Sequence, residues 1–434
     1  MTLFASTFEW PNSALDFVGV GAGATNGLGE IVTRADRFIL KSPGHFSFAT
    51  GQSGVRTLAT TVGGAPALVR GVVFGIDGDL GLRIDEVRLG SVGDQPTYLS
   101  VTAEFEHLAS LCCLRREDGA ARSPSEPLEI PALGSASAMT AILPRAANAI
   151  TITAIAPAPL EEFEEHLVAF QDLLTFAADI PVGRLRLVAT EASGQVVTIL
   201  GRERYAPFGR SERKPIEYLF RLAGDWTQTV IDRWWAARAE LRPVSQILAG
   251  LHYQPGYVEA DVILSAAAIE ALATRAAVGE RPRLSEVDAA PIIQALDALD
   301  GMNSEQRQFI ANVKGDASRT TLRSRVDLLV SSMNATALRS SALSVGDWLP
   351  RFIETRNSIA HGSTGSRRNR DIWMDDGLLR AVRDANRVVL GLAVLTHLGL
   401  ADAVIERSGE RLGVRYGMNH AGTSIFQQPR RSSR

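Results

Sequence analysis

The sequence predicts an α+β protein in which a β-rich N-terminal region precedes an all-helical C-terminal half. Three observations carry that prediction. Short alternating or apolar runs broken by glycine-containing turns fill roughly the first 155 residues. An apolar stripe with helical spacing follows, in Phe163, Leu167, Phe170, Leu174 and Ala177. From residue 225 onward nearly every segment repeats with a three-to-four-residue period. A chain of 434 residues suits two or three domains. They are read as 1–210 (β-rich), 225–405 (helical) and 406–434, a flexible basic tail of Gly, Arg, Gln and Ser.

In chain order, strands are expected over 67–74, 82–89, 98–105 and 149–155, with turns at 76–79 and 93–94. Residues 120–138, rich in Ser, Pro, Ala and Gly, read as a surface loop. The helix carrying the 163–177 stripe stops at Pro181, because proline has no N–H to continue the ladder. A hairpin over 185–190 and 196–200 turns through Ser193-Gly194. Asp225 is placed to cap a helix bearing Trp226, Val230, Trp234 and Leu241. A longer helix is marked by Val258, Val262, Ile269 and Leu272, and others are expected over 291–299, 304–313, 320–332, 348–361 and 378–398.

Composition narrows the function classes. With 45% hydrophobic and 21% charged residues the chain can bury a core, which a disordered chain cannot. A formal net charge of -3 excludes a general nucleic-acid coat but leaves room for one local basic site. The two cysteines, Cys112 and Cys113, are adjacent, which fits neither a disulfide framework nor a zinc spacing and reads as reduced thiols in a cytoplasmic protein. The N-terminus lacks the basic start of a secretory signal, and the apolar run 388–400 is short of the roughly 20 residues of a membrane span. The run Gly19-Val20-Gly21-Ala22-Gly23 to Gly29 lacks the Lys of a phosphate loop and the third glycine of a dinucleotide fingerprint, so it reads as a hairpin or loop. Seven scattered histidines form no metal spacing, and Glu161, Glu162, Glu164 and Glu165 read as a solvated helix start; neither a metal nor a cofactor is expected.

The stretch from Trp348 to Gly362 is different. Asp347 can cap a helix whose apolar side is Leu349, Phe352, Ile353 and Ala360, and Gly362 stands where a left-handed residue ends such a helix. Asn357 and His361, four apart, share a face; Arg356 lies about 140° round from His361 but is long enough to swing towards it. Such a trio can cleave RNA without a metal. Histidine moves protons near neutral pH, the arginine fork offsets charge gathering on the phosphate, and asparagine orients the imidazole or bonds the phosphate. One histidine cannot easily serve both sides of the reaction, so two copies facing each other across a dimer make physical sense. The bare Arg-to-His spacing is weak: 42 Arg and 7 His supply about 0.7 such pairs by chance, and Arg415 with His420 is a second instance in the glycine-broken tail. A histidine at a helix C-terminus can also be there for the dipole alone.

Arg356-Asn357-x-x-x-His361-Gly362, late in a run of helices, resembles the motif of the HEPN superfamily, and more narrowly the ApeA-like abortive-infection proteins. Residues 170–182 resemble the helix-to-strand segment of the ApeA N-terminal region, and Ile231 to Trp235 its tryptophan-bearing helix. Residues 262–272 resemble the first HEPN helix with its embedded glutamate, Glu270, and 321–329 the following arginine-bearing helix with Arg325. The resemblance runs through about residues 160–400. It implies a HEPN helical bundle, a homodimer through that bundle with higher oligomers open, and a metal-independent endoribonuclease. The implied role is defence against phage by cutting RNA, tRNA being a candidate target, with the N-terminal region sensing a phage-derived trigger. On this mapping Arg356, Asn357 and His361 are the catalytic set. Glu270 is read either as a structural ion pair with an arginine such as Arg325 or as part of the site. Arg367, Arg368 and Arg370 either steer an RNA backbone or form a solvated loop. The competing reading is a catalytically silent HEPN scaffold that binds RNA or a partner protein.

Overall fold

The computed structural model describes residues 15–18, 27–34, 37–41, 55–62, 65–76, 79–90, 96–111, 128–130, 133, 139–143, 149–201, 218–221, 227–253, 256–275, 286–299, 301–317, 321–360, 375–420, 423–424 and 426. It is a mixed α+β structure whose backbone packing separates into two units, Met1–Ala236 and Ala237–Arg434.

The first unit is built on antiparallel strands. Strands β1 (Leu15–Val18), β2 (Gly27–Arg34), β3 (Arg37–Lys41), β4 (Val55–Val62), β5 (Ala65–Ile76) and β6 (Asp79–Leu89) follow the spatial order β3-β2-β1-β4-β5-β6. Strand β3 also pairs with β6, so these six strands close on themselves and leave no free edge between β3 and β6. Strand β6 is shared. Leu82, Arg83 and Ile84 face β3, while Glu86, Val87, Arg88 and Leu89 pair with β12 (Val196–Gly201). The sheet continues from β12 through β11 (Arg184–Glu191), β7 (Thr97–Phe105), β10 (Ala149–Pro159) and β9 (Met139–Leu143) to β8 (Leu128–Ile130). Of the glycine run, Gly27 and Gly29 open β2, which pairs with β1; residues 19–26 lie outside the described residues, as do Cys112, Cys113 and Asp225. The loop expected over 120–138 contains β8, where Leu128 pairs with Leu143 of β9.

A short helix α1 (Leu108–Leu111) follows β7, and α2 (Leu160–Ala178) packs on β7 and β10. The α2 stripe Phe163, Leu167, Phe170, Leu174 and Ala177 is buried as its period requires, and Phe170 meets Phe105 with ring centroids 6.2 Å apart. Past Ala169 the helix is buried on every side, because helix α3 (Thr227–Glu240) and the segment 218–220 cover the face turned away from the sheet. The Trp234 indole donates to Ala169 O at 2.8 Å and stacks on Phe176, and Leu219 N donates to Ala177 O at 2.8 Å. These contacts explain why the first unit ends at Ala236, inside α3, rather than at the 210–225 boundary the sequence suggests. Helix α2 ends on left-handed Asp179 (φ 51°), two residues before Pro181. The β11–β12 hairpin turns at Gly194 (φ 84°), a backbone conformation in which a side chain is strained. Of the acidic run, Glu164 is paired after all: Arg184 of β11 grips it at 2.8 and 2.9 Å.

The second unit is helical: α4 (Val244–Tyr253), α5 (Val258–Arg275), α6 (Glu286–Asp297), α7 (Ser304–Ala317), α8 (Leu322–Ser332), α9 (Ala335–Ser340), α10 (Val345–Ala360), α11 (Asp376–His397) and α12 (Asp402–Arg415), with a two-stranded ribbon β13 (Asn419–His420) and β14 (Thr423–Ser424). Helix α11 packs against α5, α8, α10 and α12, and its apolar residues from Leu379 to Leu395 are buried. At its centre Asn386 is fully buried, accepting from Trp348 Nε1 at 2.9 Å and donating to Ser265 Oγ at 2.9 Å. The Ser265 hydroxyl in turn donates to Val262 O at 3.0 Å, so one polar chain ties α10, α11 and α5 together. Among the described residues no helix is long and apolar enough to cross a membrane.

The flexible tail expected over 406–434 is corrected in its first part, residues 427–434 lying outside the described residues. Residues 402–415 form α12, with Ile405 and Leu412 buried, and Phe426 packs on the cluster of Val262, Ile359, Leu379 and Val382. Two glycines of this helix, Gly409 and Gly413, have a packing reason. A Cβ on Gly409 would stand 2.4 Å from Ala337 O, and one on Gly413 would stand 2.1 Å from Ser341 O. Helix α12 therefore lies backbone to backbone on α9. Helix α6 begins before the expected Pro291, which sits inside it.

Two outcomes follow from this packing. In denaturant titrations, Gly413→Ala is expected to destabilise by about 1–3 kcal/mol through overpacking. Gly250→Ala, in α4 where nothing lies within 4 Å of the added Cβ, should stabilise by about 0.5–1 kcal/mol. In the first unit, burial holds the His166 imidazole below its ordinary 6.5, against the opposing pull of Glu165 and Glu162. Trp235 Nε1 donates to His166 Nδ1 at 3.0 Å, which only the neutral ring can accept. The folded unit therefore binds fewer protons here than the unfolded chain. That stability is present above about pH 6.5 and is lost as pH falls through the folded-state value. Urea midpoints read by tryptophan fluorescence should fall further between about pH 7 and pH 5 in wild type than in His166→Phe.

Candidate active site

Helix α10 presents the motif. Its phase turns Trp348, Leu349, Phe352, Thr355, Ser358 and Ile359 inward, leaves Asn357 exposed and sets Arg356 half-buried on the flank. The turn that starts the helix is tied by Ser344, whose hydroxyl donates to Asp347 Oδ2 at 2.8 Å. Asp347 is thus in the first turn rather than at the cap position the sequence suggests, and Ser344 precedes the helix. Trp348 and Phe352 pack with ring centroids 5.2 Å apart, and the Trp348–Asn386 bond fixes the rotation of α10 about its axis. The motif arginine therefore stands on a helix whose orientation is set from the core.

From the flank of α10, Arg356 reaches α5. Its Nε donates to Glu270 Oε1 at 2.6 Å and its Nη2 to Oε2 at 3.1 Å, a bidentate pair with both side chains about a quarter exposed (30% and 24%). Its Nη1 donates to Asn357 Oδ1 at 3.1 Å. Glu270 is accordingly the partner of Arg356, not of Arg325 as the sequence suggests. The reason is position: Glu270 lies on α5 where α10 crosses, whereas Arg325 on α8 meets α5 one turn later. There its Nη1 donates to Thr274 Oγ1 at 2.9 Å, and Thr274 in turn donates to Glu270 O at 2.8 Å.

The structure thus brings Arg356, Asn357 and Glu270 into one hydrogen-bonded group, with Arg325 beside it. His361, Gly362, Arg367, Arg368 and Arg370 lie outside the described residues; His361 is the next residue after Ala360, which ends α10. The second Arg-to-His pair is divided between two elements, Arg415 ending α12 beside the Tyr416 ring and His420 in the ribbon. Among the described residues no group of three His, Cys, Asp or Glu side chains could hold a metal ion.

A guanidinium has five N–H donors. Among the described residues three on Arg356 are engaged, two by Glu270 and one by Asn357, which leaves one N–H on each Nη for an incoming oxyanion. Glu270 thereby fixes the plane of the guanidinium. Sequence reasoning missed Thr274, Asn386 and Ser265. A signal existed for the last two, since a polar residue in an otherwise apolar helix run must find a partner when buried. No protein-family model, no curated protein and no solved structure matches the chain.

The bidentate pair should be measurable in stability. A double-mutant cycle of Glu270→Ala and Arg356→Ala in denaturant is expected to give a coupling of about 1 kcal/mol, the upper end for a partly exposed pair with good geometry. Glu270 with Arg325→Ala should show little coupling.

Proposed function

We propose that the chain is a metal-independent endoribonuclease of the HEPN type, acting in abortive-infection defence against phage from the cytoplasm, with tRNA as a candidate substrate. The observation that carries the reading is the Glu270–Arg356–Asn357 group on a helix held in rotation by the core, immediately before His361. In this mechanism the substrate's 2′-hydroxyl attacks its own phosphate. It loses its proton to a histidine as the P–O bond forms. The bond to the 5′-oxygen breaks, and that oxygen takes a proton from a second histidine. His361 supplies one transfer and the His361 of a second copy supplies the other, which makes a homodimer through the helical unit part of the mechanism. The two remaining N–H groups of Arg356 bind the phosphate oxygens as charge gathers on them. Asn357, exposed beside Arg356, bonds the phosphate or orients the imidazole. Arg367, Arg368 and Arg370, which follow the motif in sequence, steer the strand. The strand-rich first unit is assigned the sensing of a phage-derived trigger.

The same ion pair favours one other reading. A carboxylate gripping the Arg356 fork also suits a silent scaffold, in which the pair merely joins α5 to α10 and the surface binds RNA or a protein. Sequencing RNA ends from cells that express wild type, His361→Ala or Arg356→Ala separates the two. New ends are expected with wild type alone, and purified His361→Ala should cut about 10²–10⁴-fold more slowly. Equal RNA ends and equal phage protection in all three would leave the scaffold.

A further inference from the structure

Arg325, like Arg339 on Thr336 Oγ1, meets no carboxylate among the described residues, and unlike Arg339 it has a buried, unmatched donor. Arg351 pairs with Glu354 at 3.1 Å, Arg383 with Asp384 at 2.7 Å and Arg387 with Asp261 at 3.2 Å, while Arg356 grips Glu270. Among the described residues Arg325 meets only a neutral hydroxyl, Thr274 Oγ1 at 2.9 Å. A hydroxyl satisfies one donor and leaves the charge uncompensated. Its Nε is buried and has no acceptor among the described residues, a state a folded protein rarely leaves without a reason. The buried Nε is closed to an incoming ligand, so the donors uncommitted among the described residues that a ligand could take are the second N–H of Nη1 and those of Nη2. The non-bridging oxygens of a phosphodiester are acceptors of the kind a guanidinium binds.

The position is as telling as the chemistry. Glu270 and Thr274 are four apart on α5, so their Cβ atoms are about 5–6 Å apart. The two arginines are therefore anchored to adjacent turns of one helix. We propose that Arg325 binds the backbone phosphate next to the one held at Arg356, so that the site takes a strand with at least two consecutive phosphates. The proposal rests on the ribonuclease reading for the register of the strand, and on Arg325's own partners for the second phosphate.

The test uses the purified full-length chain and two substrates, a dinucleoside monophosphate and a trinucleotide carrying two phosphates. Wild type should cleave the trinucleotide with roughly tenfold or greater advantage in kcat/KM, the size of one charge-assisted hydrogen bond. Arg325→Ala should remove that advantage, lowering kcat/KM on the trinucleotide roughly tenfold more than on the dinucleotide, and Arg325→Lys should restore part of it. Equal loss on both substrates, or none on either, would overturn the proposal. A second arm follows the anisotropy of a labelled 2′-O-methyl trinucleotide, which cannot be cut. Its log–log salt slope should be shallower by about 0.7 in Arg325→Ala, as expected for one lost phosphate contact on a single strand. If wild type cuts no RNA but this difference is present, the ribonuclease reading fails and the phosphate site stands. An unchanged slope, or displacement of the trinucleotide by inorganic phosphate at equal concentration, would refute a site for a strand.

Discussion

The hydrogen-bonded chain from Trp348 through Asn386 to Ser265 is the constraint on which the helical unit depends. Apolar packing alone would let α5, α10 and α11 slide or turn against one another at modest cost, since leucines and valines tolerate several arrangements. A buried amide tolerates few. Asn386 has a carbonyl to satisfy and an amide to place, and both partners are themselves fully buried. The register that satisfies all three residues puts Arg356 opposite Glu270, because both ion-pair partners ride on helices the chain has fixed. The geometry of the candidate site is in this sense a consequence of the core.

That arrangement also divides labour between neighbouring turns of α5. Glu270 orients one guanidinium and Thr274 anchors another, and Thr274 leans on the Glu270 carbonyl through its own hydroxyl. A carboxylate at the first position and a hydroxyl at the second give the two cations different characters. Arg356 is neutralised and held flat, whereas Arg325 keeps its charge. In the sequence both are simply arginines on helices.

How much was legible follows from the range of each signal. The α2 stripe and the 193–194 hairpin turn depend on residues within a few positions of each other, so periodicity and glycine placement were enough. Pro291 misled because proline is common at a helix start, yet α6 begins at Glu286. Helix α12 was hidden by Gly409 and Gly413, whose meaning lies in the backbone of α9 about 70 residues earlier. The partner of Glu270 was unreadable for the same reason. Many arginines compete for one carboxylate, and the packing of α10 on α5 decides between them. The motif itself was visible as Arg356 and Asn357, while the chain bracing it was not, because nothing local distinguishes Asn386 from a surface asparagine.

The shared strand β6 has a consequence in time. Along the edge turned away from β5, its first half closes the ring with β3, and its second half waits for β12, more than a hundred residues later. Strand β7 likewise waits for β10 and β11. During synthesis the strand-rich unit emerges first yet cannot complete its hydrogen-bond ladders until residue 201 has left the ribosome. Pairings over such separations form slowly, whereas neighbouring helices assemble quickly. The half of the chain made last thus has the shorter path to its folded form, and the half made first has the longer exposure of unpaired strand edges to other chains.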